Sequence, residues 1–394
     1  MTSEPRGTVE PGGWKLAARM GVRYWAVALA AYLLITLCAF QLGDRPRTYA
    51  ELFMSWRQWD AWWYIAAATD GYPTADVPGP PPPEARYAFF PLFPLLIRII
   101  DVIAPGNAAV AAFLVSILTF LGLLVVFYRF LDSEVADRAT VDRTVWYLLL
   151  FPTAFFLAAP YPMALFLMLV IGSIYFMRQG RWWAAGLVGA LATASRASAL
   201  LLVGIFVLEY LRQREWSVRR IRADAAWVAL IPVGLLSYLA FAAVRIGNPL
   251  APFDAQDYWE HRLDWPWTGV LRVARYVAGN MGPDFTLFPV VDLALVTLMA
   301  VLLVLAVYGP YRLRPDQWPL VVFGLGALWF AISFPMPDVD PIKSASRYML
   351  EVFAGFMVLG RMGAARWFDR VYVALALPLQ TLLLVIHLHT GWVA

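Results

Sequence analysis

The sequence predicts an all-α integral membrane protein that crosses the bilayer many times and forms a single domain over residues 1–394. Hydrophobic residues make up 61% of the chain and charged residues only 15%, whereas soluble proteins are far more polar. Apolar runs of about 20 residues, the length that crosses about 30 Å of hydrocarbon, recur from one end to the other. We attribute the net charge of +4 to basic loops beside the lipid bilayer, so no nucleic-acid partner is expected.

Nine apolar runs are predicted to span the membrane individually. They cover residues 22–41, 107–130, 143–159, 162–178, 224–245, 287–309, 318–334, 345–360 and 371–391. The first run follows Lys15, Arg19 and Arg23 and is longer than the apolar part of a secretion signal. We therefore expect it to remain as an uncleaved first span.

The stretch 182–210 is too long for one simple crossing and contains Ser195 and Arg196. A single crossing would place the basic cluster at 212–222 outside, although short basic loops normally stay in the cytoplasm. Two short helices with a break near Thr193–Ser198 return that cluster to the cytoplasm. The sequence thus predicts about eleven transmembrane helices, within a range of about nine to thirteen, with a cytoplasmic N-terminus.

This topology leaves two long external segments, residues 42–106 and 246–286. The cytoplasmic loops are too short for a nucleotide-binding domain, and the chain contains neither a Walker motif nor a dinucleotide-binding glycine pattern. Any chemistry is therefore expected on the external face. Within the first segment, the glycine and prolines at 79–83 are expected to form a stiff polyproline spacer.

Asp60 is the most informative residue of the first external segment, because it lies in an aromatic run that contains four tryptophans, Trp56–Tyr64. Residues 52–69 lack proline and glycine, so they are expected to form one short helix. The helical spacing places these residues on one face: Trp56, Trp59, Asp60, Trp63, Tyr64 and Ala67. Tryptophan prefers the headgroup region, so the helix is expected to lie along the external interface. Asp60 either faces a cavity between spans or is a solvated acid on an interfacial anchor.

The run Tyr87–Pro94 follows and contains Pro91 and Pro94, which are expected to break a helix as it enters the membrane. Irregular backbone at that depth is tolerated only where protein or water covers it. The pattern indicates either a cavity that opens to the external face or a re-entrant turn with a structural role.

Two arginines lie in apolar surroundings, Arg196 after residues 189–195 and Arg347 at the start of a late span. An intramembrane arginine is costly and usually faces a polar cavity or an anionic partner, and its forked guanidinium suits phosphate oxygens. The alternative for Arg196 is a structural ion pair or a snorkelling end. For Arg347 it is an anchor at the membrane edge, or a pair with Glu351, which lies four residues further on.

The sequence indicates no metal site and no cofactor. Cys38 is the single cysteine, so no intramolecular disulfide is possible. His261 is interpreted as a solvated loop residue, whereas His387 and His389 are expected on opposite sides of a helix and make a poor metal pair.

The order of several short motifs resembles the PIG-V-like mannosyltransferases, which belong to the GT-C class of polytopic glycosyltransferases. The motifs that resemble the family's first luminal loop are Trp59-Asp60, Tyr64, Gly71-Tyr72 and Ala88–Pro94. The later motifs, which follow in the family's order, are Ala159-Pro160-Tyr161, the stretch around Arg196, and Ser346-Arg347-Tyr348. The similarity extends over about residues 15–390, and the first loop is its most specific part.

The resemblance implies a GT-C-like fold and an inverting transfer of a sugar, most often mannose, from a polyprenyl-phosphate donor to an acceptor hydroxyl. It implies Asp60 as the general base. The substrate-binding residues that it implies are Arg347, Arg196, Trp59, Tyr64, Tyr72 and Tyr161. The acceptor would be a glycolipid, a glycan or a protein, and the active site would face outward. The expected location is the cell membrane, and a composition with only two lysines favours a bacterial plasma membrane.

The chain departs from the family pattern in two places. Residues 162–165, Pro-Met-Ala-Leu, stand where the family often has a Ser-Glu element, and residues 197–199, Ala-Ser-Ala, replace a common Asn-Gly. These departures bear on which acceptor and which sugar the protein would use, more than on the type of reaction. Two other functions stay open: a flippase or transporter for lipid-linked sugars, and an inactive scaffold of an envelope-assembly complex. Only the transferase would require Asp60.

Overall fold

The computed structural model describes residues 13–41, 48–74, 83–103, 106–260, 262–279, 287–336 and 341–393. Within these ranges all regular secondary structure is helical, which confirms the all-α prediction. The predicted spacer at 79–83 lies outside the described residues except for Pro83, and His261 lies outside them as well.

The α-helices of these ranges are α1 Gly13–Gln41, α2 Tyr49–Met54, α3 Asp60–Thr69, α4 Leu92–Ile103, α5 Ala108–Glu134, α6 Arg138–Leu149, α7 Met163–Arg178, α8 Trp182–Ser195, α9 Leu201–Gln213, α10 Val233–Ile246, α11 Ala251–Asp254, α12 Pro266–Gly279, α13 Phe288–Val307, α14 Trp318–Ile332, α15 Ala345–Tyr348, α16 Phe353–Met362 and α17 Arg366–Leu388. The 3₁₀ segments between them are Pro83–Ala88, Ala154–Leu157, Ala197–Leu200, Val218–Arg220, Ala223–Leu230, Ala255–Trp259, Pro315–Gln317 and Met349–Glu351.

Four of the described helices, α1, α5, α13 and α17, are long and apolar enough to cross a bilayer. A fifth candidate is the 3₁₀ segment Ala223–Leu230 together with α10, which meet at an angle of 43°. Large apolar side chains such as Leu34, Val244 and Leu375 are exposed on the outer faces of these helices, as expected where lipid replaces water. The chain is thus a multi-pass membrane protein, whereas the total of about eleven helices and the orientation stay predictions.

The break predicted near Thr193–Ser198 is confirmed. Helix α8 ends at Ser195, Arg196 has an extended backbone (φ −168°, ψ 140°), and α9 begins at Leu201 after a short 3₁₀ segment. Two other predicted spans are also interrupted in the structure. The span at 143–159 divides into α6 and a 3₁₀ segment, and the span at 345–360 divides into α15, a 3₁₀ segment and α16.

Pro91 and Pro94 mark the start of a helix instead of breaking one. Pro91 directly precedes α4, and Pro94 lies in its first turn, where a missing backbone N–H removes no helical hydrogen bond. Between the preceding 3₁₀ segment and α4, the Phe89 carbonyl accepts a hydrogen bond from the Tyr72 hydroxyl at 2.5 Å. The loop backbone at this point is therefore covered by protein.

The centre of the bundle is helix α7, which packs between α5, α8 and α9 and is buried over almost its whole length. Glycines allow α8 to approach α10 and the 3₁₀ segment Ala223–Leu230 closely. A Cβ atom on Gly234 would lie 1.9 Å from the Ala190 carbonyl oxygen, and one on Gly186 would lie 2.4 Å from the Trp227 carbonyl oxygen. Such contacts between small residues are the usual way in which membrane helices associate.

Arg178, the last residue of α7, connects the ends of several helices. Its guanidinium donates two hydrogen bonds to Glu134 of α5, at 2.7 and 2.8 Å. It also reaches Asp316 before α14 at 2.7 Å and Glu209 of α9 at 3.5 Å. Partial burial opposes ionisation of Asp316, yet the hydrogen bonds from Arg314 and Arg178 lower its pKa to about 2. Asp316 therefore stays charged at neutral pH and keeps its ion pairs with Arg178 and Arg314.

Replacing Arg178 with methionine is expected to lower the free energy of unfolding by about 3 to 5 kcal/mol, because Glu134 would lose its main partner while remaining buried. The matched control is Arg220→Met, which removes the exposed pair of Arg220 with Glu215 and is expected to cost less than about 1 kcal/mol. Unfolding of the purified protein in detergent measures both changes. Equal losses in the two variants would contradict the assigned role of Arg178.

Candidate active site

Asp60 begins a helix rather than lying in the middle of one. The single helix predicted over 52–69 is wrong, because α2 ends at Met54 and α3 begins at Asp60. Trp59, directly before α3, has φ 51° and ψ −118°, a conformation that a residue other than glycine adopts only when its surroundings enforce it. Trp56 and Trp59 therefore do not share a helical face with Asp60.

Two contacts from distant parts of the chain hold this break in place. The Tyr161 hydroxyl, just before α7, donates a hydrogen bond to the Gln58 carbonyl at 2.8 Å. The Trp59 indole donates to the Gly391 carbonyl at 3.2 Å, and its ring packs edge-on against Trp392 at a centroid distance of 4.7 Å. Together these contacts favour the strained Trp59 backbone and place the Asp60 carboxylate at the start of α3.

The Asp60 carboxylate forms an ion pair with Arg347. Arg347 Nη2 donates to Asp60 Oδ2 at 3.1 Å. The Arg347 side chain is only 6% exposed, whereas that of Asp60 is 22% exposed. Among the described residues, no donor contacts the other carboxylate oxygen, Oδ1. Asp60 therefore combines a fixed orientation with one accessible oxygen that can accept a proton.

Arg347 is surrounded by aromatic rings and has unused donors. Its guanidinium carbon lies 5.2 Å from the ring centres of Phe156, Tyr161 and Tyr348, and Nη2 also donates to the Tyr348 hydroxyl at 3.2 Å. Its Nε and Nη1 atoms are buried and have no hydrogen-bond partner among the described residues. Buried charged donors are normally hydrogen-bonded, so two guanidinium nitrogens without a partner indicate that Arg347 can bind a further anion besides Asp60.

Arg196 occupies the extended break between α8 and α9 and pairs with a different acid. Its Nη1 atom lies 2.5 Å from Glu351 Oε1, and its guanidinium carbon lies 4.1 Å from the centre of the Tyr348 ring. The alternative in which Glu351 pairs with Arg347 along one helix face is wrong. Helix α15 ends at Tyr348 and a 3₁₀ segment follows, so the spacing of four residues does not align those two side chains.

Tyr348 lies against both arginines and connects the two ion pairs. Its ring centre is 4.1 Å from the guanidinium carbon of Arg196 and 5.2 Å from that of Arg347. The sequence did not predict this role of Tyr348, nor that the Phe156 ring would pack against the Arg347 guanidinium. The available signal for Tyr348 was its position directly after Arg347 in a motif, and for Phe156 there was none beyond its aromatic character. The site thus contains two cations and two anions in a largely buried environment, so its formal charge is balanced.

The other predicted binding residues divide into two groups. Tyr64, one turn after Asp60, packs edge-on against Phe89 and Phe93 at 4.9 and 5.3 Å and supports the face of α3. Tyr72 lies in a separate aromatic cluster, where its ring centre is 5.2 Å from Tyr87 and 5.5 Å from that of a tyrosine on α10. Tyr161, Tyr64 and Trp59 are therefore close to the Asp60 pair, whereas Tyr72 contacts neither member of it in the described part of the chain.

The second long loop covers the other side of α3. Trp63 stacks on Phe89 at 5.6 Å and packs edge-on against Tyr258 and Trp259 at 6.2 and 5.8 Å. Helix α3 belongs to the first of the two loops predicted on the external side, and Tyr258 and Trp259 belong to the second. The two loops are therefore in contact, and α3 lies between the second loop and the helix bundle. No group of three or more metal-ligating side chains is found in the described ranges.

A family comparison decides where this chain belongs. The model of the family described as "Mannosyltransferase (PIG-V)" matches residues 31–261, more than half of the 394 residues. The chain belongs to the PIG-V mannosyltransferase family. The matched region contains Asp60, Tyr161 and Arg196 of this PIG-V family member, whereas Arg347 and Glu351 lie beyond it.

A curated relative is the GPI alpha-1,6-mannosyltransferase 2 of Cricetulus griseus, 31% identical over 159 residues, which cover 38% of this chain and 30% of the relative. This PIG-V family member therefore aligns with less than a third of that relative's length. A solved structure with a similar arrangement is the apo oligosaccharyltransferase of Archaeoglobus fulgidus. It is 13% identical with a TM-score of 0.47, over 94% of this chain and 56% of the other.

The pair of Arg196 and Glu351 is expected to behave as a coupled unit. Arg196→Leu or Glu351→Leu alone would leave one buried charge without a partner and lower the free energy of unfolding by about 3 kcal/mol. The double variant leaves no unpaired charge, so it is expected to recover most of that loss. Denaturant unfolding in detergent measures all three variants, and additive losses in the double variant would show that the two residues do not interact.

Proposed function

We propose that this PIG-V family member transfers mannose from a polyprenyl-phosphate donor to an acceptor hydroxyl. The observation that carries the proposal is the Asp60–Arg347 ion pair, in which Asp60 keeps one accessible oxygen and Arg347 keeps two unpaired N–H donors. A carboxylate base and a cation with free donors are the two groups that such a transfer requires, and no metal is needed.

Arg347 is assigned to the donor phosphate. When the bond between the sugar C1 atom and the phosphate oxygen breaks, its electron pair goes to that oxygen and the phosphate gains one negative charge. A preorganised cation in a site without bulk water stabilises such developing charge, and one of the unpaired nitrogens of Arg347, Nε or Nη1, can donate to a phosphate oxygen. Arg196 is paired with Glu351, which favours Arg347 for this role and leaves Arg196 to hold Tyr348.

Asp60 is assigned as the general base. An acceptor hydroxyl is a weak nucleophile, and a positioned carboxylate that takes its proton accelerates the attack. The hydroxyl oxygen bonds to C1, its proton moves to Asp60 Oδ1, and the lipid phosphate leaves from the opposite side of the ring. This single displacement inverts the configuration at C1.

We expect this reaction on the external face, as the predicted topology implies, where a lipid-linked sugar is available and a nucleotide sugar is not. The composition with two lysines favours a bacterial plasma membrane as its location. Trp59, Tyr64 and Tyr161 lie beside the Asp60–Arg347 pair and are assigned to the substrates, whereas Tyr72 lies in a separate cluster and supports the loop. The acceptor is a hydroxyl of a glycolipid, a glycan or a protein.

Asp60→Asn is expected to lower the transfer rate by about 10² to 10⁴-fold, because the amide oxygen still accepts from Arg347 but cannot take a proton. Purified protein in membranes with labelled polyprenyl-phosphate mannose and total envelope acceptors provides the assay. The matched control is Asp70→Asn at the other end of α3, since Asp70 is 62% exposed and pairs with Arg86 at the surface. Equal activity of the folded Asp60→Asn variant and the wild type would rule out Asp60 as the base.

Arg347→Lys is expected to raise the donor KM by about tenfold or more, because lysine is a point charge that lacks the planar set of donors with which the guanidinium can bind Asp60 and the phosphate at the same time. Arg361→Lys is the matched control, since Arg361 on α16 donates to the carbonyls of Tyr311 and Arg312 and not to the site. Steady-state kinetics with varied donor concentration measure both variants. An unchanged donor KM in Arg347→Lys would contradict the phosphate assignment.

A further inference from the structure

Asp292 is a buried acid that the mechanism described above does not use. It lies in α13, one of the helices long and apolar enough to span a membrane, and its residue is only 1% exposed. A carboxylate inside a membrane helix is costly and is generally retained for a specific interaction. Its position in the fold identifies that interaction.

Asp292 contacts the backbone of the segment that carries Arg347. Its Oδ1 atom accepts a hydrogen bond from the Ser346 N–H at 2.8 Å. On the other side of the same residue, the Thr153 hydroxyl donates to the Ser346 carbonyl at 3.0 Å. Both polar backbone groups of the residue next to Arg347 are thus held by side chains from other parts of the bundle.

The local backbone explains why such contacts are needed. Helix α15 has only four residues, and it follows Ser344, which has a left-handed backbone with φ 71°. A helix this short cannot satisfy its first N–H groups internally, and inside a membrane protein unsatisfied backbone groups are expensive. The Asp292 carboxylate satisfies one of them and thereby fixes the position of the chain directly before Arg347.

We propose that Asp292 is a positioning residue for the transfer reaction: through the Ser346 backbone it fixes the Arg347 guanidinium against Asp60 and the donor phosphate. The inference rests on the proposed function, because Arg347 acts on the phosphate there. Arg347 is buried among three aromatic rings, so its guanidinium has little room to compensate for a shifted backbone. A displacement of about 1 Å at a reacting site is enough to reduce the rate about 100-fold.

Asp292→Leu and Asp292→Asn separate the hydrogen bond from the charge of the side chain. Leucine fills a similar volume but accepts no hydrogen bond, so kcat/KM for the donor is expected to fall about 100-fold. In Asp292→Asn the amide oxygen still accepts from the Ser346 N–H, so kcat/KM is expected to stay within about threefold of the wild type. If Asp292→Asn is as impaired as Asp292→Leu, the charge and not the hydrogen bond matters, and the proposal is overturned.

A cycle with Arg347→Lys distinguishes positioning from a general role in folding. If Asp292 acts through the Arg347 guanidinium, the double variant Asp292→Leu/Arg347→Lys is expected to be no slower than Arg347→Lys alone, within about threefold. Losses that multiply would show an independent structural role and would overturn the inference. Thr153→Val removes the opposite hydrogen bond to Ser346 and is expected to show the same non-additivity, which keeps the test valid if Asp292→Leu does not fold.

Binding of polyprenyl phosphate alone, followed by quenching of intrinsic tryptophan fluorescence, separates this inference from the proposed function. The wild type is expected to bind, and Asp292→Leu is expected to bind about tenfold more weakly. Binding that weakens in this way without any transfer of mannose would reject the proposed reaction and retain the positioning role. Normal transfer and unchanged binding in Asp292→Leu would reject the positioning role alone.

Discussion

The ion pair between Asp60 and Arg347 joins two parts of the chain that are 287 residues apart, and the surrounding structure keeps both charges paired. Removing a charge from water costs several kcal/mol per ion unless a partner and further contacts compensate. Phe156, Tyr161 and Tyr348 cover the guanidinium, while the second pair, Arg196 with Glu351, balances the remaining charges. Each buried charge of the site is thus stabilised by its partner, and removing one charge would destabilise the other.

Interrupted helices supply the residues of this site. Asp60 is the first residue of α3, Tyr161 directly precedes the turn into α7, Arg196 follows α8, and Arg347 lies in the short α15. A continuous helix uses its own backbone polar groups, whereas each interruption leaves some of them without a partner. Side chains such as that of Tyr161 satisfy these groups and fix the geometry of the break at the same time. Asp60 and Arg347 are therefore positioned by side-chain hydrogen bonds to the backbone beside them.

The sequence was sufficient to predict the all-α membrane fold and the break around Arg196, because composition and the distribution of basic residues carry those signals. The aromatic motif also singled out Asp60, whose role as the base stays a prediction. The sequence was insufficient for the break at Trp59, because a run without proline or glycine predicts a continuous helix. The strained backbone of Trp59 is enforced by contacts with Tyr161 and Trp392, which are distant in the sequence. The alternative pairing of Arg347 with Glu351 failed for a similar reason, because the spacing of four residues assumes a continuous helix, whereas α15 ends at Tyr348. Tertiary contacts thus determine the details that local patterns leave open.

The balanced charge of the site has an energetic consequence for a protein in an energised membrane. In the proposed reaction the acceptor proton moves to Asp60 while the phosphate gains one negative charge, so the total charge between the helices stays constant. A transmembrane voltage contributes about 2.3 kcal/mol for each elementary charge that moves across a drop of 100 mV, and proportionally less for a smaller movement. The proposed reaction shifts a proton only within the site, so it would draw little energy from a membrane potential.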